Sequence, residues 1–247
     1  MKFTVYISFS LLLLCACKKS EERTCFKGWG DENATTTEYF DAPIDSIKIE
    51  DNVIVHLYQD TLNYAEVVGG SNVIHQINFN ITDRNLMLEN LNKCNFLRSY
   101  KKKIHVHLHL KKLVYIFFSG GEDLIMENQF QGGEMRIFFR DGGGTIHANV
   151  DMGYFAIEVT GGAGDFIVKG KAQQAYIKVQ SNGYGDASAL ETPELIMYNK
   201  SSGDLYGHVN DNGRLRAEIH YKGNNYYTGS FDSITKIDQG EGANIHQ

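Results

Sequence analysis

Six short turns in the second half of the chain share a composition and recur at nearly equal intervals. They are SGGED (119–123), DGGGT (141–145), GGAGD (161–165), NGYGD (182–186), SSGD (201–204) and YKGN (221–224), and their last residues lie 22, 20, 21, 18 and 20 positions apart. This period of about twenty constrains the fold more than any other feature of the chain. A unit so small cannot bury its apolar face alone and must stack on copies of itself. The first five turns are followed by paired positions that form columns: Leu124 and Met126, Ile146 and Ala148, Phe166 and Val168, Ala187 and Ala189, Leu205 and Gly207. A second apolar stretch precedes each turn, at 114–118, 135–139, 155–159, 176–179, 195–198 and 215–219. Each unit therefore reads as strand, Gly-Asp turn, strand, second turn. Stacked coils and an antiparallel sandwich of hairpins both use strands of about this length. The aligned columns favour stacking, because they set like residues above like residues. The expected fold is all-β, a single-stranded parallel β-helix or β-solenoid with about twenty residues per rung.

The first half carries a different pattern. Ile47, Ile49, Val53, Val55, Leu57, Ile77, Phe79, Ile81, Leu86 and Leu88 alternate with polar residues, the period of half-buried strands, and the turn residues between them suggest hairpin-sized units. No window holds a helical stripe. The 25 Gly against 2 Pro, with 14 Tyr and 14 Phe, agree with strands joined by tight turns. The formal net charge of -6 argues against nucleic acid as a partner, since phosphate neutralisation needs a basic face.

The N-terminus reads as an export signal. Met1 and Lys2 precede an apolar run at 3–14, too short for a membrane span, and Leu14-Cys15-Ala16-Cys17 resembles a bacterial lipobox. Residues 1–16 are then a lipoprotein signal peptide, Cys17 the lipid attachment site, 17–39 the anchor and tether with KKSEERT at 18–24, and 40–247 the domain. With Cys17 acylated, Cys25 and Cys94 remain, and an oxidising compartment favours a disulfide between them over two separately buried thiols. The partners expected on these grounds are the membrane, through the lipid, and an extracellular glycan or protein.

Candidate sites are few. The Gly-Asp turns read as chain reversals, with glycine at positive φ and Asp or Asn bonding nearby backbone N–H groups. Calcium at some of Asp123, Asp165, Asp186 and Asp204 is the alternative. In KKKIHVHLHLKK, His105, His107 and His109 share one strand face, but side chains nearly 7 Å apart splay too far to converge on one ion (about 3.4 Å rise per residue). With Lys101, Lys102 and Lys103 they make a basic surface suited to an anionic glycan or lipid headgroup. Tyr154, Tyr176, Tyr198, Tyr226 and Tyr227 could stack on sugars or on one another. No G-x-S-x-G, H-E-x-x-H or Walker motif occurs, so neither catalytic residues nor a cofactor are assigned.

The stretches F40-DAPIDSIKIEDNVIVHL, N92-KCNFLRSYKKKIHVHLHL, Y221-KGNNYYTG and I237-DQGEGANI, with the turn series between them, resemble the auto-transporter adhesin head GIN domain family over about 40–245. The resemblance implies a right-handed β-helix-like fold, an adhesin-type role in the envelope of Bacteroidetes-type bacteria, and no reaction, ligand or catalytic residues. Ser20-Glu21-Glu22 resembles signals that carry some lipoproteins of these bacteria to the cell surface. The expected protein is a non-catalytic outer-membrane lipoprotein, on the periplasmic face or the surface, that binds a glycan or protein. A self-associating scaffold, hence a homo-oligomer, and a glycan-active β-helix enzyme are the alternatives.

Overall fold

The structure, a computed structural model, describes residues 28–50, 52–93 and 101–247. The signal peptide, the lipid attachment at Cys17 and the Cys25–Cys94 pair lie outside the described residues. Strands dominate, and the turns of a parallel β-solenoid follow one another roughly 20 residues apart, about seven in all.

The regular part begins with β8 (Tyr115–Phe118) and β9 (Leu124–Met126) and continues through β10 (Phe130–Arg140), β11 (Thr145–Thr160), β12 (Asp165–Gln180) and β13 (Gly185–Glu191). It ends with β14 (Glu194–Asn199), β15 (Leu205–His208), β16 (Gly213–Ile219), β17 (Asn225–Thr228), β18 (Phe231–Asp238) and β19 (Asn244–His246). Every pairing among these strands is parallel, which excludes the antiparallel sandwich. Two walls result. The first holds β8, the C-terminal parts of β10, β11 and β12, then β14, β16 and β18. The second holds β9, the N-terminal parts of β11 and β12, then β13, β15, β17 and β19.

The core between the walls is built from ladders. Ile47, Ile116, Ile137, Ile157, Ile177, Met197 and Ala217 stand in one register column, none more than 1% exposed. Branched side chains at the same height in successive rungs interlock, and each buried one contributes about 1.5–3 kcal/mol. Phe118 and Phe139 add an inward aromatic contact at 4.9 Å between ring centres.

The first half departs from the regular stack. It contains β1 (Ala34–Tyr39), β2 (Ser46–Glu50), β3 (Ile54–Gln59), β4 (Tyr64–Gly69), β5 (Ile77–Thr82), β6 (Asn85–Asn90) and β7 (His105–Leu110), with a 3-10 turn at Ile74–Gln76. β2 and β3 form one rung and β6 and β7 another, but their order in space is not their order in the chain. β2 lies parallel between β6 and β8, and β3 lies parallel between β7 and β9. Antiparallel β4 and β5 reverse the chain, so that it returns on the outer side of the first rung. β1 then closes this end against β4.

One expected column is displaced. Gly185, and not Ala187, stands over Phe166; Ala187 lies opposite Gly207, and Ala189 is exposed. The reason is room, because a Cβ at position 185 would collide with the Phe166 ring. A bulge in the β12–β13 ladder takes up the slack.

Candidate binding surface

The three histidines of β7 point outward, as their alternation requires, but strands on both sides supply ring partners. Tyr39 and Tyr64 lie 5.5 Å apart, Tyr64 and His109 4.1 Å, and His109 and Tyr58 4.4 Å. The series continues from Tyr58 to His107 at 6.0 Å, from His107 to His56 at 4.5 Å, and from His56 to His105 at 5.3 Å. Seven rings thus run without a break across β1, β4, β7 and β3. The order follows from register: β4 sets Tyr64 opposite His109, and β3 sets His56 opposite His107.

Hydrogen bonds bind the array to carboxylates. His56 Nδ1 lies 2.6 Å from Glu127 Oε1, and His56 Nε2 lies 3.0 Å from His105 Nδ1. His109 Nδ1 lies 2.9 Å from Asp60 Oδ2. Burial, with a smaller contribution from the His56 charge, holds His105 and His107 below the ordinary imidazole range. Asp60 is held below the usual carboxylate range by the Thr61 backbone N–H and by His109.

Two of the three lysines are paired with carboxylates. Lys102 pairs with Glu32, and Lys103 meets Glu122 at 2.5 Å. Lys101 precedes β7 and is exposed. The expected basic surface is therefore an aromatic one edged by Glu127, Asp60 and Glu66. Among the described residues no group of three or more His, Cys, Asp or Glu is arranged to hold a metal ion.

The acidic turn residues are already engaged. Asp123 accepts from the backbone N–H of Thr145 at 2.9 Å, Asp165 from that of Tyr184 at 2.7 Å, and Asp204 from that of Asn224 at 2.8 Å. Each bond reaches the next rung and not the turn's own backbone. Asp186 alone bonds locally, to Ser188. The glycines also act between rungs. Among the turn residues Gly161, Gly162 and Asp141 have positive φ, whereas Gly183, Gly203 and Gly223 have room for no Cβ because the preceding rung's backbone passes so close.

Tyr227 belongs inside the solenoid, 1% exposed, and its hydroxyl is buried without a partner. Tyr154 lies under Arg136, Tyr198 stacks on His220, and Tyr226 stacks on Tyr206. Burial pushes the Tyr176 hydroxyl up to about 12. Two further rings open to solvent lie on the first wall. Tyr115 and Phe117 are 38% and 41% exposed, and Phe117 lies parallel to Phe138 at 5.2 Å beside a groove of about 320 Å³ that Arg140 also lines. The alternation at 116–118 and 137–139 already assigns Phe117 and Phe138 to the outward face.

Residues 43–230 match the family described as "Putative auto-transporter adhesin, head GIN domain". The chain belongs to this family. The GIN domain seen here is similar to a solved "putative adhesin" from Bacteroides fragilis, at 19% identity and a TM-score of 0.77, over 87% of this chain and 97% of that one. It is also similar to a "putative adhesin" from Parabacteroides distasonis, at 20% identity and a TM-score of 0.68, over 88% and 98%. A "putative lipid binding protein" from Parabacteroides distasonis gives 17% identity and a TM-score of 0.63, over 87% and 98%. At such identities these likenesses establish the fold of the GIN domain and not its ligand. No curated relative matches the chain.

Proposed function

We propose that this GIN domain is a non-catalytic binding module of the cell envelope, exported, anchored through a lipid on Cys17, stapled by a Cys25–Cys94 disulfide, and facing the periplasm or the exterior from the outer membrane. The observation that carries the reading is the filled interior. Isoleucine and phenylalanine ladders occupy the space between the walls, so a ligand must be held on the outer faces. Those faces carry the seven-ring array on one wall and the open Phe117 ring, stacked on half-buried Phe138, on the other. Rings on a rigid sheet suit the apolar faces of sugars or the side chains of a protein. The adhesin names of the family and of two similar structures support the same reading.

A glycan-active enzyme finds less support. The carboxylates displaced in their titration, Glu32, Asp60 and Glu218, all move toward the ionised form, opposite to what a general acid requires. The test is a glycan and matrix-protein binding array, run with the wild-type chain, with Lys101, Lys102 and Lys103 changed to Gln, and with Phe117→Ala. Specific binding weakened by either change supports the reading and locates the surface; silence across the array overturns it.

A further inference from the structure

The contacts within the imidazole array are proton-limited. Glu127 requires a proton on His56 Nδ1 if their 2.6 Å approach is a hydrogen bond. The 3.0 Å approach of His56 Nε2 to His105 Nδ1 then holds a single proton, given by one ring and accepted by the other. The pair tolerates one added proton. A second would set two N–H groups against each other at that distance. His107, stacked on His56 at 4.5 Å, makes any further imidazolium a like-charge neighbour.

These rings join β7 to β3, and β7 carries the end of the second wall. β4 is hydrogen-bonded to β7 and β1 to β4, both antiparallel, so the β7–β3 seam holds this end strand group to the rest of that wall. We propose that the array is an acid-operated latch: near neutral pH it fastens β7, and through it β4 and β1, to β3, and on acidification it lets this end of the solenoid open. The inference rests on the binding reading in one respect, since the latch would control part of the ligand-facing wall.

The charged and titratable groups facing the array set its direction. From β9 and the residue after it come Ile125 and Glu127; from β3 and its turn, Tyr58 and Asp60; from β4, Tyr64 and Glu66; and beside His105 stands the Lys103–Glu122 pair. Glu127 and Asp60 each engage one imidazole, His56 and His109. His105 and His107 receive no such bond. Glu66 lies opposite His107 and favours its charge, but burial and the neighbouring His56 outweigh it. Both rings are thus held below their value in an opened chain, about 6.5. Such groups bind more protons when open, so the latch is intact above about pH 6.5 and weakens as pH falls through and below it. Release that takes up two protons raises the opening constant toward about 100-fold per pH unit.

The experiment is hydrogen exchange by mass spectrometry on the full chain at pH 7.5 and 5.5, with labelling times scaled for intrinsic exchange. Peptides from β1, β4 and β7 should lose protection at the lower pH, while those from β12 and β14 keep theirs. His105→Asn retains a polar atom near Nδ1, and His107→Phe retains the stack on His56. Each should flatten the pH dependence at this end, and the comparison is of slopes, so a general loss of stability does not obscure it. Protection at this end that is independent of pH overturns the latch. So does a loss shared evenly along the solenoid, or a slope unchanged in both variants. No ligand is needed, so failure of the binding array and failure of the latch are separate results.

Discussion

Two turn glycines that look equivalent in the sequence should respond oppositely to the same substitution. Gly203 belongs to SSGD and Gly143 to DGGGT, and neither has a positive φ. A Cβ on Gly203 would stand 2.9 Å from the Gly183 carbonyl carbon, closer still to its oxygen, and 3.3 Å from Tyr184 Cα. Backbone atoms cannot turn aside as a side chain can, so Gly203→Ala must push two rungs apart. Overpacking of this kind costs about 1–3 kcal/mol, and a clash with backbone belongs at the upper end. For a chain of this size about 3 kcal/mol lowers the melting temperature by roughly 6–12 °C. Gly143 has nothing within 4 Å of its Cβ position. There, Gly143→Ala should be neutral or stabilise by up to about 1 kcal/mol, because it restricts only the unfolded chain. Thermal and denaturant unfolding of both variants beside the wild type is the assay. Equal losses, or a tolerated Gly203→Ala, would refute the claim that the turn glycines serve close approach between rungs.

Other outcomes follow from the same contacts. Asp204→Ala removes the bond to Asn224 in the next rung and should cost about 1–2 kcal/mol, while millimolar calcium should leave the wild-type melting temperature unchanged; a clear rise with calcium would restore the ion-binding reading of the turns. Cys17→Ala should move the protein from the membrane fraction to the soluble one, and its persistence in the membrane would refute acylation as the anchor. Peptide mapping without reduction should find Cys25 joined to Cys94, and alkylation of both in unreduced protein would remove the bridge.

The regular turns were legible because their signal is local. Gly and Asp at fixed spacing mark a rung whichever residues lie above it, and the register then follows with two slips, one where Phe166 needs the space of Gly185 and one in the β16–β18 ladder at Gly213 and Arg214. Alternation alone names a strand and its faces but not its neighbour. It could therefore not tell that Ile49 pairs with both Leu88 and Phe118. The histidine face shows the same limit. The outward direction of His105, His107 and His109 was readable, whereas His56, Tyr58, Tyr64 and Glu127 arrive from distant positions through that long-range pairing. The turn aspartates were read as local caps for a related reason, since a bond to the next rung exists only once the stack is known.

The interleaved rungs at the N-terminal end bear on how the chain can be assembled and how its length can vary. In the regular part each turn touches only its neighbours, so a block of about twenty residues can be gained or lost while the ladders close over the gap. The β2–β3 rung offers no such freedom, because β6 and β7 occupy one of its sides and β8 and β9 the other. A chain emerging N-terminus first must leave that rung unpaired until β6 and β7 arrive and half-paired until β8 and β9 complete the other side (Gln59 to Met126 spans 67 positions). Nucleation should therefore begin among the later turns, where sequence separation between partners is smallest. Insertions and deletions accepted in the turns after Tyr115 should be rejected between Ser46 and Leu110.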